Sequence, residues 1–234
     1  MTQWIQDFFS DPIFTSTSTN NSLWINTGLT IYMVAWTMVL SIVIGIPLGI
    51  GLFELSRARN RAARIAYQVL GFIVNVLRSF PFVILIIALL PLAKAIVGRG
   101  TGPNAAIISL TIAAVPFLAR LVETALREIP AGKLEAVEMM GASRFQVIRH
   151  VLVAEALPGI IAGITTTTIG VVGYTAMAGT VGAGGLGDLA FRKGYLSYNN
   201  TVMITTVVVL ILLVVLVQVV GDLAARAVDH RAKG

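Results

Sequence analysis

Thr201–Val220 is a run of twenty residues without a charged side chain, built mainly from Val, Ile and Leu. As a helix it rises about 30 Å, the thickness of a bilayer's hydrocarbon core. One such run could be hidden in a soluble protein, but several could not. The chain has 234 residues, 56% of them hydrophobic and 12% charged, with a mean hydropathy of +0.87. No soluble domain of this size has interior enough for that composition, so the long apolar runs read as membrane spans. The expectation is an all-α integral membrane protein. Further spans are expected over about Leu23–Leu52, Asn104–Ala125 and Ala156–Val181. Between Ile65 and Val97 the segment Arg78-Ser79-Phe80-Pro81 interrupts the pattern, leaving 13 apolar-rich residues before Arg78 and 19 after it. Thirteen residues are too few to cross, so this region reads as one long, tilted or kinked span with Pro81 as the kink. The total is five transmembrane helices.

Basic residues set the orientation. The loop at 57–64 holds four (Arg57, Arg59, Arg61, Arg64) and the region between spans three and four another four (Arg127, Lys133, Arg144, Arg149). The C-terminal tail has three, the two remaining loops two each, and residues 1–22 none. This pattern puts the N-terminus outside, the C-terminus inside, and the region between spans three and four in the cytoplasm. The net charge of +6 is thus a topology signal and implies no nucleic-acid partner. Residues 1–22, with Asp7 and Asp11 but no basic n-region, read as a retained extracytoplasmic extension, and 23–234 as the membrane domain.

Several chemistries are excluded. Without Cys there is neither a disulfide nor a thiolate metal site. His150 and His230 lack neighbouring Cys or His co-ligands, so no metal is expected. No P-loop is present. Gly182-Ala-Gly184-Gly185-Leu-Gly187 fits G-x-G-x-x-G, but it sits at the end of a span with no βαβ unit around it, so no nucleotide cofactor is expected. Glu54, Glu123, Glu128 and Glu155 all fall at or near predicted cytoplasmic ends, which leaves no carboxylate relay at mid-membrane. The chain is not an enzyme by these criteria, and a pathway through it is either passive or driven by a partner. Arg78 lies at depth. Its readings are a transport role, snorkelling, or a structural pairing with an acid or helix-end carbonyls. Arg120 and Glu123, one helical turn apart, suit a local ion pair.

The longest stretch outside the apolar runs is Ile129–Pro158. It reads as two short helices separated by a turn. In Lys133–Met140, Leu134, Val137 and Met140 fall toward one side and Glu135 and Glu138 toward the other. Gly141 suits the left-handed residue that ends a helix. Ser143 and Gln146 fit a capping box, starting a second helix near Arg144 with Phe145, Ile148 and Leu152 on its apolar side. Residue by residue, the stretch fits a solvated amphipathic hairpin on the membrane surface. Its spacing, Glu135-Ala136-x, three residues and then Gly141, resembles the EAA loop of ABC-importer permeases. That pattern ends in Leu-Pro where this chain has Val153-Ala154, and a Leu157-Pro158 pair follows four residues later.

The second half narrows the resemblance. Gly173-Tyr-Thr-Ala-Met-Ala-Gly-Thr-Val-Gly-Ala-Gly-Gly-Leu-Gly-Asp188, Lys193-Gly-Tyr195 and Tyr198-Asn-Asn-Thr-Val-Met203 are similar to segments of methionine ABC importer permeases, as are Arg78-Ser-Phe-Pro-Phe82 and Val115-Pro-Phe-Leu-Ala-Arg120. Osmolyte permeases of the glycine betaine type have similar glycine-rich stretches. The resemblance implies a homodimer in the membrane lipid, two cytoplasmic ABC ATPase subunits and an extracytoplasmic methionine-binding lipoprotein. It implies that Glu135, Ala136, Glu138, Gly141, Ser143, Arg144 and Phe145 couple the chain to the ATPase. Tyr174 and Met177 are candidates for the translocation pathway, a soft thioether suiting an apolar thioether substrate, although packing against neighbouring helices explains them equally. Gly182, Gly184, Gly185 and Gly187 are candidates for an outer gate, with Asp188, Arg192 and Lys193 as polar docking contacts. From a different class, a passive channel or ion-coupled carrier with a merely structural hairpin stays open.

Overall fold

The computed structural model describes residues 11–16, 22–58 and 60–229, with every side chain there except that of Glu138. Most of the expected N-terminal extension lies outside the described residues, as do Arg59, the Glu138 side chain, His230, Arg231 and Lys233.

Among the described residues the regular elements are all helical. Helix α1 (Leu23–Arg57) begins at Ser22, whose hydroxyl accepts a bond from the Ile25 N–H at 3.3 Å, the usual way to satisfy an orphan donor of the first turn. It runs past the expected end at Leu52 to the basic cluster. Only three residues separate it from α2 (Arg61–Ser79), so the cluster 57–64 is mostly helix ends and not a loop. Asn60 opens α2 by accepting the Ala63 N–H at 2.7 Å. There follow α3 (Phe82–Ala88), α4 (Leu90–Val97) and α5 (Pro103–Arg127).

The expected kink at Pro81 is a full break. Helices α2 and α3 meet at 103°, far beyond what tilt or a kink accommodates. Proline supplies no N–H and disfavours helical backbone in the residue before it, here Phe80. The chain restarts as α3 with the Pro81 carbonyl accepting from Ile84 and Leu85 at 2.9 and 3.0 Å. Four helical stretches are long and apolar enough to cross a membrane, and a fifth is obtained if the bent α2–α3 pair counts as one span.

Between α5 and the next span lie α6 (Ala131–Met139) and α7 (Arg144–Gln146). The second helix of the expected hairpin is not short. It continues from α7 through wide π-helical turns, Val147–Leu152, into α8 (Val153–Gly179), so that Arg144–Gly179 forms one 36-residue run. Leu157-Pro158 marks no end, since Pro158 lies inside α8. After α8 come α9 (Gly185–Leu189), π turns at Ala190–Tyr195, and α10 (Asn200–Val228).

The chain divides into two compact units. The first comprises the described residues through Val39, Phe80–Ala113 and Thr168–Leu216. Its apolar core joins Leu23, Leu186, Leu189 and Val202 to Ile13, which is 2% exposed. The short segment before α1 is thereby pinned. The Ile13 carbonyl accepts the Leu23 N–H at 3.1 Å, and the Asp11 carboxylate accepts from the Ile13 N–H at 2.9 Å and the Asn199 amide at 3.0 Å.

The second unit comprises Leu40–Ser79, Ala114–Thr167 and the chain from Val217 onward. Its core gathers Phe53, Leu118, Val122, Leu126, Ile129, Leu134, Val147, Leu152 and Ile160. Gly45 and Gly49 of α1, four residues apart with no side chain between the backbones, lie against α5. A Cβ on Gly49 would stand 2.6 Å from the Ala119 carbonyl oxygen and 2.7 Å from Val122 Cβ, closer than such atoms pack. Gly159 and Gly163 let α8 approach α5 in the same way, at Ala125 and Leu121.

Candidate functional site

In the second unit, the α6–α7 hairpin is built from inside outward. Leu134, Val147 and Leu152 are buried in the core and Val137 and Ile148 pack against it, which anchors the hairpin on α5 and α8 residues. Gly141 has φ 82°, the left-handed conformation expected of it. The capping box is also present: the Ser143 hydroxyl accepts the Gln146 N–H at 3.4 Å and the Gln146 side chain accepts the Ser143 N–H at 2.8 Å. Two placements differ from expectation. Met140 falls beyond the last residue of α6 and is 85% exposed, and Phe145 is 68% exposed instead of joining Ile148 and Leu152 inside. With Met139, 88% exposed, they give the tip around Gly141 a large exposed apolar surface. Periodicity placed Met140 inward because it assumed one more helical residue than the chain makes.

The remaining sequence candidates sit around that tip. Glu135, Ala136, Ser143 and Arg144 are all exposed. Glu135 and Arg144 line a cleft of about 660 Å³ with Glu54, Arg57 and Val147. Arg144 reaches Glu54 at 3.3 Å and Lys133 reaches Glu155 at 2.9 Å. Such open pairs contribute little stability, and they fix where charge is presented more than they hold the hairpin. Neither contact had a sequence signal, because the partners are 90 and 22 residues apart.

In the same unit, Glu123 of α5 is buried and gathers three donors. Arg120 Nη1 donates at 2.6 Å, Arg127 Nη2 at 2.7 Å and the Tyr67 hydroxyl at 3.1 Å. Arg120 Nη2 also donates to the Gly71 carbonyl at 3.0 Å. The expected Arg120–Glu123 pair is therefore the centre of a network that ties α2 to α5. Among the described residues Arg78 is paired with no acid. Its guanidinium stands 5.7 Å from the Phe117 ring centroid, a cation–π arrangement available to an exposed side chain.

In the first unit, Gly182, Gly184 and Gly185 have φ of 85°, 82° and 83°, so the turn after α8 needs glycine for its backbone. The turn is also closely approached by its neighbours. A Cβ on Gly185 would lie 2.7 Å from Thr30 Oγ1 and 3.0 Å from Met33 Cε, and one on Gly187 or Gly179 would overlap backbone. The Thr30 hydroxyl accepts the Leu186 N–H at 2.9 Å. Asp188 is buried and held by Arg192, whose Nε donates at 2.6 Å; this bond raises the Arg192 pKa above its usual value. Asp188 and Arg192 thus satisfy each other. Lys193 stays half-buried, and Tyr195, Leu196 and Tyr198 are exposed beside it. Tyr174 stacks on Phe82, ring centroids 4.6 Å apart, so packing accounts for it; Met177 is 45% exposed.

Against this geometry, residues 41–234 match the family described as the binding-protein-dependent transport system inner membrane component. The chain belongs to this family. Its members are transport-system components of the inner membrane by description, and the chain is accordingly a multi-pass protein of the bacterial inner membrane. It is 48% identical over 205 residues to a probable D-methionine transport system permease protein of Vibrio cholerae, covering 88% of this chain and 91% of the relative. A methionine import system permease protein of Bacillus subtilis is 45% identical over 164 residues, covering 70% and 74%. Among solved structures, an inward-facing form of the MetNI methionine ABC transporter aligns with a TM-score of 0.85 at 44% identity, covering 89% of this chain and 96% of that one. An amino acid ABC transporter solved with histidines aligns at a TM-score of 0.66 with 17% identity, covering 86% and 94%, a likeness of fold alone.

Proposed function

We propose that the chain is the permease subunit of an ATP-driven methionine importer. The observation that carries this reading is the 48% identity to a D-methionine permease over nearly the whole of both chains. Residues 23–234 form the transport domain, with five spans, an outside N-terminus and an inside C-terminus. Two copies make the pathway. The hairpin within 129–158, between spans three and four, docks on a cytoplasmic ATPase subunit, one for each permease, and ATP hydrolysis resides there. Glu135, Ala136, Glu138, Gly141, Ser143, Arg144 and Phe145 form that contact, and the exposed Met139, Met140 and Phe145 side chains support it. An extracytoplasmic methionine-binding lipoprotein delivers substrate to the opposite side, near the gate at Gly182, Gly184, Gly185 and Gly187. There Lys193 is the charged docking contact, because Arg192 is already engaged by Asp188. Met177, exposed one turn from Tyr174, faces the pathway.

Nucleotide closes the ATPase pair, the hairpins move with it, and the spans alternate access as rigid bodies. The chain's own part is to carry that motion: Leu134, Val147 and Leu152 fix the hairpin to the span residues Val122 and Leu126 in one core. Reconstitution with the cognate ATPase and binding protein tests the proposal. Labelled methionine is expected to enter liposomes only with ATP. Uptake of betaine in preference to methionine, or uptake without the ATPase, would overturn it.

A further inference from the structure

Helix α2 turns one face to the protein and leaves the other uncovered. Gly71 and Val74 are buried and Tyr67 bonds Glu123. Away from that face Arg61, Ile65, Val69 and Phe72 form one exposed stripe, and Arg64, also exposed, stands at its edge one turn from Arg61. Their order along the helix matters: two guanidinium groups come first, one turn apart, followed by about 10 Å of apolar ridge from Ile65 to Phe72. We propose that this face binds an anionic phospholipid, its phosphodiester on Arg61 and Arg64 and its acyl chains along Ile65, Val69 and Phe72.

Three points favour this occupant. A basic start followed by an apolar body on one helix face is the pattern of a lipid-facing amphipathic helix. Guanidinium groups bind phosphate oxygens in a two-pronged geometry, and two arginines three residues apart are spaced to share one phosphate. Neither arginine makes an ion pair among the described residues. The inference rests on the membrane location of the family and not on methionine as substrate.

The test is native mass spectrometry of the intact permease–ATPase complex titrated with phosphatidylglycerol or phosphatidylcholine. The wild type is expected to retain phosphatidylglycerol in preference. R61Q and R64Q should each weaken that retention about fivefold, R61K/R64K should keep most of it, and phosphatidylcholine should be unaffected. Each single variant reads the site separately should the double glutamine variant fail to fold. Equal retention of the two lipids by the wild type, or unchanged phosphatidylglycerol retention in both single variants, would overturn the proposal. So would crosslinking of Phe72→Cys to a second permease copy in the assembled complex.

Discussion

Glu123→Gln removes one negative charge from a site where two arginines converge. Glu123 is 2% exposed, and its oxygens receive Arg120 at 2.6 Å and Arg127 at 2.7 Å. Removing one partner of a buried ion pair costs about 3–5 kcal/mol, because the other charge stays behind unpaired. Two features put this case at the lower end. Arg127 is half exposed, so water takes over its share, and Arg120 retains the Gly71 carbonyl at 3.0 Å. Among the described residues the buried Arg120 Nε has no hydrogen-bond partner, so it does not absorb the loss. A cost of about 3 kcal/mol corresponds to a fall in Tm of about 6–12 °C for a chain of this length. The assay is thermal unfolding in detergent at one fixed scan rate, followed by size-exclusion recovery, since such proteins unfold irreversibly. Replacing the pair together, Arg120→Met with Glu123→Leu, should recover most of the loss, because two apolar side chains leave no stranded charge. If Glu123→Gln melts within about 2 °C of wild type, or the double variant is no more stable than the single, the network does not hold α2 to α5.

Gly185→Ala should cost about 2–3 kcal/mol, combining a left-handed φ with displacement of the Thr30 hydroxyl that binds the Leu186 N–H; a wild-type melting temperature would refute it. At Gly141 a Cβ meets no atom within 4 Å, so only φ matters: Gly141→Asn should fold and express normally while Gly141→Val loses about 1–2 kcal/mol, and equal melting of the two would show that φ is not the constraint. Gly141→Glu should leave the spans inserted and the ATPase co-purifying but abolish ATP-driven uptake, and normal uptake would sink the coupling role. Ile13→Ala should destabilise by about 2–4 kcal/mol through the cavity it opens beside Leu186 and Leu189, read as a lower melting temperature; no change would mean that the segment before α1 is not held there.

The membrane class of this chain was written in its apolar runs, because no aqueous fold can absorb Thr201–Val220 and its counterparts. Local chemistry was legible as well. The Ser143–Gln146 box, the left-handed Gly141, the Gly45 and Gly49 contacts and the Arg120–Glu123 pair all depend on residues within a few positions of one another, or on the lack of a side chain. Tertiary structure decided what depends on distant partners. Whether Pro81 kinks or breaks a helix depends on what α2 and α3 each pack against, and the break of 103° has no counterpart in spacing. Phe145 and Met140 point outward because α6 ends one residue early and the core is already filled by Leu134, Val147 and Leu152. Tyr67 joins Glu123 across 56 residues, and Thr30 meets Leu186 across 156. Such contacts form only once helices pack, since a helix's own period orders residues three or four apart and carries no information about the face of another helix.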